Sequence, residues 1–159
     1  MMASDGRSGV TETALAPVGS VEVSVFATPT GARLRLRRGG AAPEEAYLDP
    51  LELEGLTRAR HKPFAPLGRA AAPADEALAR AAAAARLERL QNEFALVGVA
   101  VARCGAGEAL FIRDLNAGLG IVLVPDEVAA LLRARHRDFA PLVDTSDLVA
   151  IPEPDIDEV

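Results

Sequence analysis

The sequence predicts an α+β fold: a tandem duplication of a βββ-α unit, with antiparallel sheet or sheets carrying helices on one face and an Ala-rich linker helix between the copies. Three observations predict it. The segment LTRARHKPFAPL at 56–67 returns as LLRARHRDFAPL at 131–142, with nine of twelve positions identical at an offset of 75. The match extends backwards in order: Leu48, Pro50 and Glu52 recur as Leu123, Pro125 and Glu127, and Val21, Val23, Val25, Gly31, Leu34 and Arg37 recur, one residue further on, as Val97, Val99, Val101, Gly107, Leu110 and Arg113. Within each copy, apolar residues first alternate with period two and then shift to helical spacing.

Val21, Val23 and Val25 share one face of a first strand, since side chains alternate across a strand. Thr30-Gly31-Ala32 is a turn in which glycine accepts positive φ at no steric cost. Arg33-Leu34-Arg35-Leu36-Arg37 alternates again and completes a hairpin, and a short third strand follows at Ala46-Tyr47-Leu48. A helix opens at Asp49-Pro50-Leu51-Glu52: Asp is a good N-cap, Pro suits the first helical position, and Glu three residues after the cap completes a capping box. Pro63, with no N–H, ends it. The second copy reads as strands over 96–103, 109–113 and 120–124 and a helix over 125–136, with Val124 in place of the capping Asp. Between the copies, Asp75-Glu76 and the uninterrupted alanines 81–85 predict a linker helix striped by Leu78, Ala82, Leu87 and Leu90. The chain thus divides into a flexible N-terminal tail (1–19), repeat one (20–69), linker helix (70–91), repeat two (92–143) and a flexible acidic tail (144–159). One βββ-α unit of ~50 residues has a marginal core, so the two copies are expected to share one.

Composition excludes several functional classes. A single cysteine, Cys104, forbids an internal disulfide and a four-ligand cysteine zinc site, and points to the cytoplasm. The first 20 residues carry Asp5 and Glu12 and hold no apolar signal-peptide core, and the longest apolar stretch, 94–102, is far short of the ~20 residues of a spanning helix, so no membrane is expected. The formal net charge is −6, and six acids lie in 144–159 without a base, so the remainder is neutral. Nucleic acid is not the expected partner: phosphate binding needs clustered cations, and stacking aromatics are scarce. Gly105-Ala106-Gly107 lies between two strands rather than before a helix and lacks a third glycine, so it is not a dinucleotide loop. No catalytic motif stands out, and no catalytic, cofactor-binding or metal-ligating residue is assigned.

Candidate ligand or partner residues are the cations. Arg58, Arg60 and His61, with their counterparts Arg133, Arg135 and His136, fall at predicted helix C-termini, where cations meet the negative end of the helix dipole. A metal held by the two histidines with Asp138 or Glu52 ranks below that reading. Arg33, Arg35 and Arg37 form a basic stripe on one strand face, where the second copy has Ala109, Phe111 and Arg113. Phe64 and Phe139 are expected as core anchors returning the chain onto its sheet.

The Asn92-Glu93-Phe94-Ala95 opening of a unit and the Leu48-Asp49-Pro50-Leu51-Glu52-Leu53-Glu54 helix start resemble a family of small prokaryotic proteins commonly labelled "dihydrodiol dehydrogenase", which carry one such unit per chain. The resemblance covers most of 20–143, once per copy, and implies a fused duplication of a single-copy module; it carries over no catalytic residue. The expected function is a small, non-catalytic cytoplasmic module that binds another protein or assembles into a homo-oligomer, without cofactor. The alternative is an enzyme or a small anionic-ligand-binding protein with its site between the repeats.

Overall fold

The computed structural model describes residues 9–59, 64–68, 71, 75–105 and 107–143. It is an α+β structure of two four-stranded antiparallel sheets and four helices. The first sheet runs in sequence order through β1 (Thr11–Ala14), β2 (Glu22–Thr28), β3 (Gly31–Arg38) and β4 (Glu44–Leu48), and α1 (Pro50–Leu56) follows. A 3-10 turn (Ala65–Leu67) and α2 (Glu76–Ala84) lead to the second sheet, again in sequence order: β5 (Glu88–Gln91), β6 (Leu96–Cys104), β7 (Gly107–Asp114) and β8 (Gly120–Leu123). Helices α3 (Pro125–Leu131) and α4 (His136–Val143) complete the described chain.

Each sheet therefore has four strands where the alternation pattern predicts three. β1 lies inside the stretch read as an N-terminal tail, and Val18, just beyond it, is fully buried. All four β1 residues are exposed, so no apolar alternation marks them; pairing with β2, from Thr11 opposite Ala27 to Ala14 opposite Ser24, defines the strand. β5 lies inside the predicted linker helix, which stops at Ala84 because Ala85 turns to extended geometry and Glu88–Gln91 pairs with β6. Helical preference at Glu88-Arg89-Leu90 is overridden by ladder hydrogen bonds that a helix would forgo. The predicted helix over 125–136 also splits: α3 ends at Leu131 and His136 opens α4, so His136 stands at a helix start, not a C-terminus.

One apolar core joins both sheets. It holds Val23, Val25, Leu34, Leu36 and Leu48 from the first, and Val97, Val99, Leu110, Ile112 and Ile121 from the second, with Leu53, Leu56 and Leu131 of the helices among them. Helix α1 packs against β6 and β7 and against α4, while α3 packs against β7, β8 and the 3-10 turn. The anchors Phe64 and Phe139 are both buried, and their ring centroids are 5.2 Å apart, so two residues at corresponding positions touch each other across the seam.

Helices do not keep to one face of the second sheet. On its outer face Ala102 and Phe111 are buried in a separate cluster with Ala82 of α2. Gly98 is the point of closest approach there: a Cβ on it would lie 2.8 Å from Leu87 Cδ1, so only glycine admits the chain entering β5. The Ala109–Phe111 surface, which matches the basic stripe of the first copy, is occupied by the protein's own helix.

Candidate functional site

In the first sheet the strand period puts Val23, Val25, Leu34, Leu36 and Leu48 inward and Ser24, Phe26, Arg33, Arg35, Arg37 and Tyr47 outward. Register then sets Phe26 opposite Arg33 and Arg35 opposite Tyr47. The Phe26 and Tyr47 rings meet edge to face at 5.8 Å, and the Arg35 guanidinium lies over Phe26, 5.6 Å from its centroid. Arg35 is also pinned from both sides, by Glu45 at 2.6 Å and Glu12 at 3.0 Å, and Glu12 takes a further hydrogen bond from Ser24 Oγ. These carboxylates raise the Arg35 pKa, the Glu45 hydrogen bond most strongly, so its charge is fixed. Arg38 pairs with Glu44. Among the described residues only Arg35 of the basic stripe is ion-paired, and Arg38 beyond it is paired too.

Arg33 is different. Its neighbour across the ladder is Phe26, not an acid, and it forms no ion pair among the described residues. It lines a half-open cleft of about 520 Å³ with Phe26, Tyr47, Asp49, Thr28 and, from the C-terminal half, Asn92. The floor at the β2–β3 turn needs glycine: Gly31 has φ 149°, and Thr28 Oγ1 donates to its carbonyl at 2.7 Å. Asn92 is held by its own turn, its Oδ1 accepting the backbone N–H of Phe94 at 2.8 Å and of Ala95 at 2.9 Å. That turn presents Phe94 to solvent at 68 % exposure.

At the cleft's edge the capping box is complete. Asp49 Oδ1 accepts from Glu52 N–H at 2.7 Å, and Glu52 Oε1 accepts from Asp49 N–H at 3.0 Å. Glu52 Oε2 is left over, and His136 Nδ1, from the other half, meets it at 2.5 Å. Glu52 is nearly buried while the His136 ring is open to water. The hydrogen bond to Glu52 raises the His136 pKa above its ordinary value, helped by the charges of Glu52 and Asp49 and opposed by Arg33. In α3, Glu127 repeats half of the box, its Oε1 accepting from Val124 N–H at 3.1 Å; valine cannot return the bond. His136 and Arg135 line a hollow of about 320 Å³ that shares Tyr47 with the larger cleft.

Of the cations singled out in the sequence, Arg33 alone lines the large cleft. Arg35 is an ion-paired wall, Arg37 is exposed opposite Glu22 and Glu45, and Arg58 sits half-buried near Glu54. Arg133 is exposed, Arg135 and His136 lie on the adjoining hollow, and Arg60 and His61 lie outside the described residues. The acidic segment 144–159 lies outside them too. Among the described residues no group of three or more His, Cys, Asp and Glu could hold a metal ion. Phe26, Tyr47, Asn92 and Phe94 were not singled out as site residues by the sequence. The signal existed for two of them: parity with Val25 and Leu48 turns Phe26 and Tyr47 to the same side as the arginines.

No protein-family model, curated protein or solved structure matches the chain.

Proposed function

We propose that the protein is a non-catalytic binding module whose partner is another protein, and that the cleft face of the first sheet with the adjoining Phe94 turn is its contact surface. The observation that carries this is the distribution of aromatics. The chain has five Phe, one Tyr and no Trp. Phe64, Phe111 and Phe139 are buried, whereas Phe26 and Tyr47 line the cleft and Phe94 stands beside it, anchored through Asn92. A chain this poor in aromatics gains nothing in stability from leaving Tyr47 and Phe94 exposed and Phe26 only half-buried. Exposed, rigidly held aromatics next to arginine are the side chains that dominate protein interfaces.

The lone cysteine supports a cytoplasmic setting. Among the described residues no helix is long and apolar enough to cross a membrane. The matching strand order of the two halves and the Phe64–Phe139 contact support descent from one duplicated unit, related to the single-unit proteins that the Asn92–Ala95 and Leu48–Glu54 motifs resemble. A second reading, a small anionic ligand in the same cleft, is favoured by its volume of about 520 Å³ and by Asn92 reaching it from the other half.

The test is affinity capture from the native host with the full chain as bait. A reproducible partner should be recovered by the native protein and lost with Phe94→Ser or Tyr47→Ser, while Leu119→Ser, at an exposed leucine outside the cleft, retains it. Equal recovery by all four baits, or no reproducible partner, overturns the proposal.

A further inference from the structure

We infer that the cleft recognises an extended acidic peptide, with a carboxylate on Arg33 and an apolar side chain on the Phe26–Tyr47 pair. This rests on the reading of the chain as a protein-binding module and names the chemistry of its partner.

Charge is the first argument. Arg35 and Arg38 on the same strand already have carboxylate partners, and Arg33, exposed beside two aromatic rings, has none among the described residues. Of the acids around it, Glu52 is divided between Asp49 N–H and His136 and Glu45 holds Arg35, while Asp49, at the cleft edge, accepts the Glu52 N–H through Oδ1 and forms no ion pair with Arg33. A guanidinium left open next to an apolar wall suits a carboxylate adjacent to an apolar side chain, because it offers a planar fork for the oxygens and excludes water on one side.

Shape is the second argument. The cleft runs into a shallower hollow of about 460 Å³ at the β2–β3 turn, sharing Thr28, Thr30, Gly31, Ala32 and Asn92 with it. On its other side Tyr47 is common to the hollow that holds Arg135 and His136. The result is a trough open along its length, with cations at Arg33 and Arg135, Glu93 exposed at the far end, and the exposed Glu45 beside Arg135 already paired with Arg35. An elongated trough fits an extended main chain better than a compact molecule, and Glu93 sets the acidic part of the peptide toward Arg33.

The protein carries its own reporter. Tyr47 is the only tyrosine and there is no tryptophan, so tyrosine emission reads the cleft wall alone. The experiment titrates the full chain with acetyl-Asp-Leu-Asp-Leu-amide and with its neutral isostere acetyl-Asn-Leu-Asn-Leu-amide. The acidic peptide should bind at least about tenfold more tightly in low salt, a preference that falls as added salt shortens the screening length to roughly 8 Å and below. Arg33→Gln should reduce the preference to less than about twofold, while Arg80→Gln, on the exposed face of α2, leaves it intact. Equal binding of the two peptides, retention of the preference by Arg33→Gln, or tighter binding of free acetate and benzoate than of the peptide overturns the inference. If host-partner capture still depends on Phe94 and Tyr47 in that event, the binding-module reading survives and only the acidic-peptide assignment falls. If capture fails while the acidic peptide binds, the protein-partner reading falls and only a preference of the cleft for acidic ligands is left.

Discussion

The contact between His136 and Glu52 should make the joining of the two halves pH-dependent, and its size can be worked from the geometry. His136 Nδ1 lies 2.5 Å from Glu52 Oε2, with the ring 89 % exposed and the carboxylate 10 % exposed. A fully buried charge-assisted hydrogen bond contributes ~1.5–3 kcal/mol and an exposed ion pair ~0.2–1 kcal/mol, so a pair with one partner in water falls at about 0.5–1 kcal/mol. The direction follows from linkage. Glu52 raises the His136 pKa in the folded chain above the ordinary 6.5 of the unfolded one. Stability from the pair is therefore fully present below about pH 6.5 and lost as pH rises through the higher folded value. A double-mutant cycle isolates it. His136→Ala removes the imidazole, and Glu52→Gln removes the charge while keeping an oxygen for the Asp49 N–H, so the cap is not confounded with the pair. Urea denaturation of the four proteins, followed by far-UV circular dichroism, should give a coupling of about 0.5–1 kcal/mol near pH 5.5 and close to zero near pH 9. A coupling that is the same at both pH values, or absent at both, refutes the reasoning.

Two further outcomes follow from packing and burial. Phe139→Ala empties a fully packed site against Phe64 and should cost about 3–5 kcal/mol. Because one core joins the halves, Tyr47 emission in the first sheet and far-UV circular dichroism should shift together in denaturation; a Tyr47 transition left at its native midpoint would show that the halves fold apart. Glu54 is desolvated on α1 and faces the charge of Asp114, with Arg58 opposing, so its pKa is raised. A raised carboxyl costs stability once ionised, so Glu54→Gln should stabilise by a few tenths of a kcal/mol at neutral pH, the gain vanishing as pH falls below the ordinary carboxyl range; destabilisation at neutral pH in thermal melts would contradict the assignment.

What the sequence made legible was whatever local rules decide. The Asp49-Pro50-Leu51-Glu52 signature returned both capping-box hydrogen bonds, and Val23, Val25, Leu34 and Leu36 faced the core as their spacing required. The Phe64 and Phe139 anchors are buried, as expected from their repeated place after each helix. What stayed hidden was decided by pairing partners far along the chain. β1 is exposed at every position, and β5 buries only Leu90, a residue that also completes a helical stripe with Leu78 and Leu87. Neither strand has the period that marks a half-buried strand, so only the ladder to its neighbour reveals it. The break between α3 and α4 hid for a related reason. No Gly or Pro stands at Arg133-Ala134-Arg135, and the restart is made by Asp138, whose side chain accepts the Arg135 N–H at 2.8 Å. That single displacement carries His136 from a helix end to the neighbourhood of Glu52. The candidate site was half legible: Arg33 was named from the stripe, but its distinction from Arg35 depends on Glu12 of β1 and Glu45 of β4, and the first of those strands was not visible.

The difference between the two sheets supports placing the proposed binding face on the first. If the halves are copies of one unit, their outer sheet faces began with the same requirement: to be covered or to become polar. Helix α2 lies directly before β5 and covers the second sheet's outer face, where Ala100, Ala102, Ala109 and Phe111 are buried. At the matching positions the first sheet carries Ser24, Phe26, Arg33 and Arg35, a face satisfied by ion pairs and by one aromatic pair rather than by a helix. Under the proposed duplication one linker cannot cover two faces, so fusion into a single chain would break the equivalence that two separate copies keep. The covered face is free to become wholly apolar, and the uncovered one must hold its aromatics among charges. Phe26 and Tyr47 persist there although Ala102 and Val122 fill the corresponding places in the helix-covered sheet. Solubility alone would have replaced them, and recognition of a partner with both an apolar and an acidic group gives them a reason to remain.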